Sequence, residues 1–185
     1  TLTLACAALL ISVVLGIPAG IVAAVKRNSV SDAVIRVLAL LGQCMPAFWL
    51  GIMLIMLFAV KLGWMPTGGA EDGLRSLILP AFTLGVFSAA TICRLLRSNL
   101  IEVLGKEYID VAKAKGLPKS KIIGKHALKN AMSSIITILG MQFASLLGGS
   151  VITEQVFAWP GVGRLVIQSI TTSDFAVVEC IVFLM

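Results

Sequence analysis

Long apolar stretches alternate along this chain with short segments that hold nearly all of its charge. Residues 1–25, 37–60 and 130–153 contain no Asp, Glu, Lys or Arg. Each is long enough to cross a hydrocarbon core of about 30 Å, which takes roughly 20 helical residues. A fourth run, 76–93, is shorter, but Leu95, Leu96 and Leu100 extend it around Arg94 and Arg97. Arg94 lies near its end, where a long side chain snorkels to the headgroups. A fifth run opens at Phe175 and includes Glu179. The pattern predicts an all-α, polytopic transmembrane bundle with about five spans, the last truncated, in a fragment cut at both ends.

Small residues mark how the spans pack. Ala8, Ser12, Gly16 and Gly20 recur every four residues in the first run, and Gly140, Ala144 and Gly148 in the fourth-span region. Such ladders let helix backbones approach closely in lipid. Pro18, Pro46 and Pro80 are expected to kink or start helices, which a bundle tolerates where neighbours satisfy the freed carbonyls.

Composition agrees with lipid as the solvent: 58% of residues are hydrophobic, 13% are charged and the mean hydropathy is +1.02. Soluble domains are about 25% charged. Cys6, Cys44, Cys93 and Cys180 stand apart in apolar runs, which supports neither a disulfide framework nor a zinc site. The net charge of +6 matters mainly through its distribution. Lys26, Arg27, Arg36 and the nine basic residues from Arg94 to Lys129 fall on one side of the spans, and Lys61, Arg75 and Arg164 on the other. Twelve against three places the first set in the cytoplasm. The segments "GWMPTGGAEDG" and "TEQVFAWPGVGRL" then face outward.

The basic segment 107–130, "EYIDVAKAKGLPKSKIIGKHALKN", is the chemical oddity of the chain. At about 2.5–3.5 kcal/mol per central lysine, burying the seven lysines from Lys106 to Lys129 in the bilayer would be prohibitive. Residues 107–115 lack a helix breaker, Gly116 suits the left-handed position that ends a helix, and Pro118 suits the first turn of the next. That second helix is expected to run through Ala131 into the following span. Three readings fit the segment: a patch against anionic lipid, a helix–turn–helix for DNA, or a docking element for a cytoplasmic protein. Spans immediately on both sides disfavour the second.

No G-x-x-x-x-G-K-[ST] phosphate loop occurs, and no Ser-His-Asp set or pair of intramembrane carboxylates can be assembled. His126, the single histidine, reads as a loop residue and not as a metal ligand. Gln43, Ser88, Thr91, Gln142 and Ser145 are polar positions inside spans that either line a translocation path or hydrogen-bond between helices. Glu154, Trp159 and Arg164 are candidates for an outer gate or a contact with a binding protein. Trp64 reads as an interfacial anchor, a role open to Trp159 as well.

"DVAKAKG" followed by "KHALKNA" resembles the cytoplasmic EAA loop of binding-protein-dependent ABC importer permeases, most of all the branch serving dipeptides, oligopeptides and nickel. "GIPAGIVAA", "PAFWLGIMLI", "FAVKLGWMPTGG" and "GGSVITEQVFAWPGVGRL" are similar to that branch in the same order, so the resemblance covers nearly the whole chain. It implies a single type I permease domain over 1–185, with a coupling loop at 104–130 that docks on a separate ATPase subunit. The coupling positions are Glu107, Asp110, Ala112, Ala114, Lys115, Gly116 and Leu117. Asp110 stands where the motif usually has Glu, Val111 and Lys113 interrupt its alanines, and Ser134 stands where many relatives have proline. The resemblance further implies cytoplasmic ATPase subunits that bind the ATP and Mg, no cofactor in this chain, a second permease subunit, an extracytoplasmic solute-binding protein, no nucleic acid, and the inner membrane of a prokaryote. The rival readings are a membrane scaffold whose basic loop binds lipid, and a secondary transporter.

Overall fold

The computed structural model describes residues 1–184, all helix, turn and loop. The order is α1 (Leu2–Val25), α2 (Val30–Cys44), α3 (Ala47–Leu54, running on through a π-helical stretch Ile55–Lys61), α4 (Leu74–Leu104), α5 (Glu107–Ala114), α6 (Lys119–Lys121, running through a π-helical stretch Ile122–Ala127), α7 (Leu128–Gly149), α8 (Val151–Val156), α9 (Val162–Thr171) and α10 (Phe175–Leu184). Three stretches, Leu2–Val25, Leu74–Leu104 and Lys119–Gly148, are long and apolar enough to cross a membrane. α2 and α3 meet that test only together, as a pair bent by 101°.

That break differs from the single span expected over 37–60. Pro46 has no N–H and disfavours helical backbone at the residue before it. Met45 accordingly turns extended (φ −74°, ψ 128°) and Pro46 becomes the cap of α3. Helix α2 therefore starts earlier than the uncharged run, at Val30, with Ser29 as its cap. By contrast α1 and α4 continue through Pro18 and Pro80, and α4 reaches well past 76–93. The run 130–153 also divides, at Ser150 between α7 and α8.

α1 packs along α4, and the first small-residue ladder makes the contact. A Cβ added at Gly16 would lie 2.8 Å from the Ala89 carbonyl oxygen, and one at Gly20 2.9 Å from that of Cys93. Gly85 of α4 returns the contact, 2.9 Å from the Ala8 carbonyl. The second ladder meets nothing: added Cβ atoms at Gly140 and Gly148 have no neighbour within 4 Å. Because backbone cannot give way as a side-chain tip can, Gly16→Ala is expected to destabilise the bundle by about 1–3 kcal/mol. Gly140→Ala is expected to be neutral. Unfolding of both variants in detergent micelles checks the contrast.

One end of the bundle collects the basic segments. There an apolar cluster joins Ala24 of α1, Ile92 to Val103 of α4, Ile109 and Ala112 of α5, Ile122 and Ala127 beyond the break, and Ala131 and Ile135 of α7. At the opposite end Leu4, Ala81 and Trp159 form a smaller cluster with Ala70 and Leu77 beside it.

Candidate functional site

Helix α5 projects from the basic end as a short element tied down on one face. Ile109 is fully buried and Ala112 nearly so, while Glu107, Asp110, Val111, Ala114, Lys115 and Gly116 are exposed. Ala112 thus faces the bundle and the other coupling candidates face outward, with Leu117 half-buried at the turn. Glu107 and Asp110 lie in the first turn and Lys113 in the last, charges that suit the helix dipole. Asp110 and Lys113 are also paired at 2.7 Å on the surface. The helix ends where Gly116 takes φ +72°, its N–H donating to the Lys113 carbonyl at 2.9 Å, and the Leu117 N–H donates to the Ala112 carbonyl at 3.3 Å. Pro118 caps the next helix from just outside it, rather than sitting within its first turn. Across the break, Asn130 Nδ2 donates to the Tyr108 hydroxyl at 2.7 Å, so α5 is fastened to the base of α7. His126 lies in the π-helical stretch, and among the described residues no cluster of His, Cys, Asp and Glu has metal-site geometry.

Four of the five polar candidates inside the spans come together. Gln43, Ser88, Gln142 and Ser145 line one cavity of about 410 Å³ where α2 breaks into α3, against α4 and α7. Ser88 Oγ donates to Gln142 Oε1 at 2.8 Å. Thr91 is absent from that lining, and its hydroxyl bonds back to the Phe87 carbonyl of its own helix. Cys44 and Pro46 complete the rim at the break.

The outer candidates are built into a folded turn. Glu154 is fully buried, accepting hydrogen bonds from Thr1 Oγ1 (2.7 Å), Ser150 Oγ (2.9 Å) and the Arg164 backbone N–H (3.0 Å). Trp159 is buried in the outer cluster, so its side chain is not placed as a surface anchor. Arg164 crosses the turn to donate to the Ala158 carbonyl and lines an outer depression with Pro160 and Gln168. Trp64 is exposed beside Phe58.

One polar cluster escaped the sequence reading. Asp32 of α2 is fully covered and receives both Arg97 Nε and a terminal guanidinium nitrogen at 2.7 Å, a bidentate pair. The Asn28 backbone N–H adds a third bond at 3.0 Å and Arg36 approaches to 3.5 Å. The pair joins the α1–α2 turn to α4 two helical turns before α4 ends. Two signals pointed to it. Ser29-x-x-Asp32 is a capping pattern, realised here as the Ser29 hydroxyl accepting the Asp32 N–H at 3.3 Å, and an arginine inside an apolar run needs a partner.

Straight and broken apolar helices, with a short basic-end helix pinned to them, define a polytopic membrane protein. The chain belongs to the family described as binding-protein-dependent transport system inner membrane component, whose profile matches residues 16–185. It is 42% identical over 184 residues to the glutathione transport system permease protein GsiC of Escherichia coli K12, and equally so to that of Shigella flexneri serotype 5b. It spans about 60% of the length of these relatives, which cover all of it. Two inward-facing structures of the MetNI methionine ABC transporter share the fold. The native crystal form has TM-score 0.77 and 21% identity over 99% of this chain and 85% of that one, and the selenomethionine-soaked form has TM-score 0.80 and 19% identity over 99% and 83%.

Proposed function

We propose that this chain is the permease subunit of an ATP-driven importer for dipeptides, oligopeptides or a similar small solute, with nickel as the remaining member of the branch. The observation that carries the reading is α5: a short helix whose buried side, Ile109 and Ala112, belongs to the same apolar cluster as α4 and α7, while its other side is free. A push on the exposed face, delivered by a cytoplasmic ATPase subunit binding ATP and Mg, is passed through that cluster and the Tyr108–Asn130 bond towards the spans. Segment 104–130 is then the coupling loop of one transmembrane domain. The open ladder of Gly140, Ala144 and Gly148 is where a second permease subunit packs. Arg164 and the outer turn held by Glu154 and Trp159 face an extracytoplasmic solute-binding protein and gate the route. The membrane is the inner membrane of a prokaryote, and the GsiC relatives favour a peptide-like cargo.

Gly116→Pro in the full-length, assembled and reconstituted transporter tests the coupling role. Proline holds φ near −65° and has no N–H to give the Lys113 carbonyl, whereas Gly116 sits at φ +72° and makes that bond. ATP-driven uptake is expected to fall at least about tenfold, because more than about 1.4 kcal/mol of turn stability is lost. Parental uptake with the ATPase subunits still bound overturns the role. The lipid-scaffold alternative makes the opposite prediction: reversing Lys119, Lys121, Lys125 and Lys129 abolishes function and Gly116→Pro does not. A secondary transporter would call on Glu179 to couple an ion, and that side chain is exposed on α10.

A further inference from the structure

The cavity at the α2–α3 break has a chemistry that narrows the cargo. Its polar lining is two carboxamides, Gln43 and Gln142, with the hydroxyls of Ser88, Ser145 and Thr83 and the thiol of Cys44, and no lining residue is charged or a histidine. Thr83 Oγ1 is already spent on the Leu79 carbonyl of its own helix. Part of this polarity is unspent. Gln142 uses its oxygen to accept from Ser88, but its amide nitrogen, both polar atoms of Gln43 and the Ser145 hydroxyl have no hydrogen-bond partner among the described residues. Polar groups in lipid are costly unless partnered, so this cluster is poised for a polar guest. We propose that the cavity is a transit site for the peptide backbone, reading amide groups by hydrogen bonds rather than charges. The inference rests on the permease reading above.

A carboxamide presents a donor and an acceptor together, the pattern a peptide group needs for reciprocal pairing. A divalent transition-metal ion instead requires several imidazole, thiolate or carboxylate ligands, and Cys44 is the only such side chain in the lining. Stripping the water from a divalent ion where no charged ligand replaces it is strongly unfavourable. The depth follows from α4: Thr83 to Ser88 lie 9 to 14 residues from its outer end at Leu74, or roughly 14–21 Å along a helix rising 1.5 Å per residue. Discontinuous helices flank solute sites at this level in other transporter folds. The volume, about 410 Å³, falls among small-molecule sites of about 300–1,000 Å³.

The test uses the complete transporter with its binding protein in proteoliposomes, and tri-alanine and Ni²⁺ as probes. Gln142→Leu and Gln43→Leu are each expected to lower ATP-driven tri-alanine uptake about tenfold, the worth of one lost hydrogen bond. ATPase association and its stimulation by the binding protein stay at parental levels, and Gln142→Asn recovers most of the uptake. In a variant with Cys6, Cys93 and Cys180 changed to alanine, N-ethylmaleimide at Cys44 blocks uptake, and saturating tri-alanine slows the alkylation. Parental uptake by both leucine variants, alkylation indifferent to tri-alanine, or ATP-driven import of Ni²⁺ but not tri-alanine each overturns the inference while leaving the importer reading intact. A parent that binds no ATPase subunit overturns both.

Discussion

Asp32→Asn is expected to lower the melting midpoint of the protein in detergent micelles by roughly 5–10 °C, through the loss of one partner of a covered ion pair. The substitution keeps the shape of the side chain but leaves the Arg97 guanidinium, itself mostly covered, without a counter-charge. It also weakens the acceptor that holds the Asn28 N–H in the α1–α2 turn. Arg97→Lys is expected to fall between parent and Asn variant, since an ammonium cannot reproduce the two parallel 2.7 Å bonds. The decisive comparison is Asp32→Leu combined with Arg97→Met. Removing both charges together is expected to restore most of the midpoint. A double variant that melts as far down as the two single changes added together would show that the pair does not act as a unit.

The second large effect is expected at Gly161. Its backbone is extended (φ −121°), so the demand for glycine is one of space. An added Cβ would sit 2.1 Å from Glu154 Cδ, and Glu154 is fixed in place by Thr1, Ser150 and Arg164. Gly161→Ala is therefore expected to destabilise the outer turn by about 3 kcal/mol, at the upper end of overpacking penalties. Gly163 closes the other side of the carboxylate, 2.9 Å from Oε2 once a Cβ is added. The mechanism has a specific signature. Glu154→Ala opens the space the methyl needs, so Gly161→Ala should cost much less in that background than alone, a coupling read from a double-mutant cycle of unfolding free energies. Additive effects would refute the cradle.

The parts of this architecture that could be read from the sequence are those fixed by local chemistry. Uncharged runs gave the helices, the α1 ladder gave a real contact with α4, and Gly116 with Pro118 gave the turn after α5. What could not be read depends on which surfaces meet. The Pro46 break was marked by the proline, but its 101° angle and the cavity it opens come from where α4 and α7 stand. The Gly140 ladder has the same spacing as its α1 counterpart and no partner in this chain; spacing shows a capacity for close approach without naming the neighbour. Ala112 and Ala114 share a motif and a helix, yet one faces the bundle and the other water. Asp32 and Arg97 are 65 positions apart, beyond any local pattern. Glu154 was visible as a polar residue near the outer turn, but its burial required the hydroxyl of Thr1 at the far end of the sequence.

The fastening of α5 constrains what can be exchanged between permeases. Its inward side, Ile109 and Ala112, packs into the apolar cluster at the basic end, chiefly beside the 122–127 stretch, whereas its outward side carries Glu107, Asp110, Val111 and Ala114. Under the coupling role proposed above, the two sides answer to different demands, one from within the chain and one from the ATPase subunit. A chimera that transplants the whole segment from a distant relative carries a foreign plug into a native socket and loosens the graft. Moving only the outward residues onto the native helix keeps the plug, and on the proposed coupling role is the graft expected to let one permease accept another's motor.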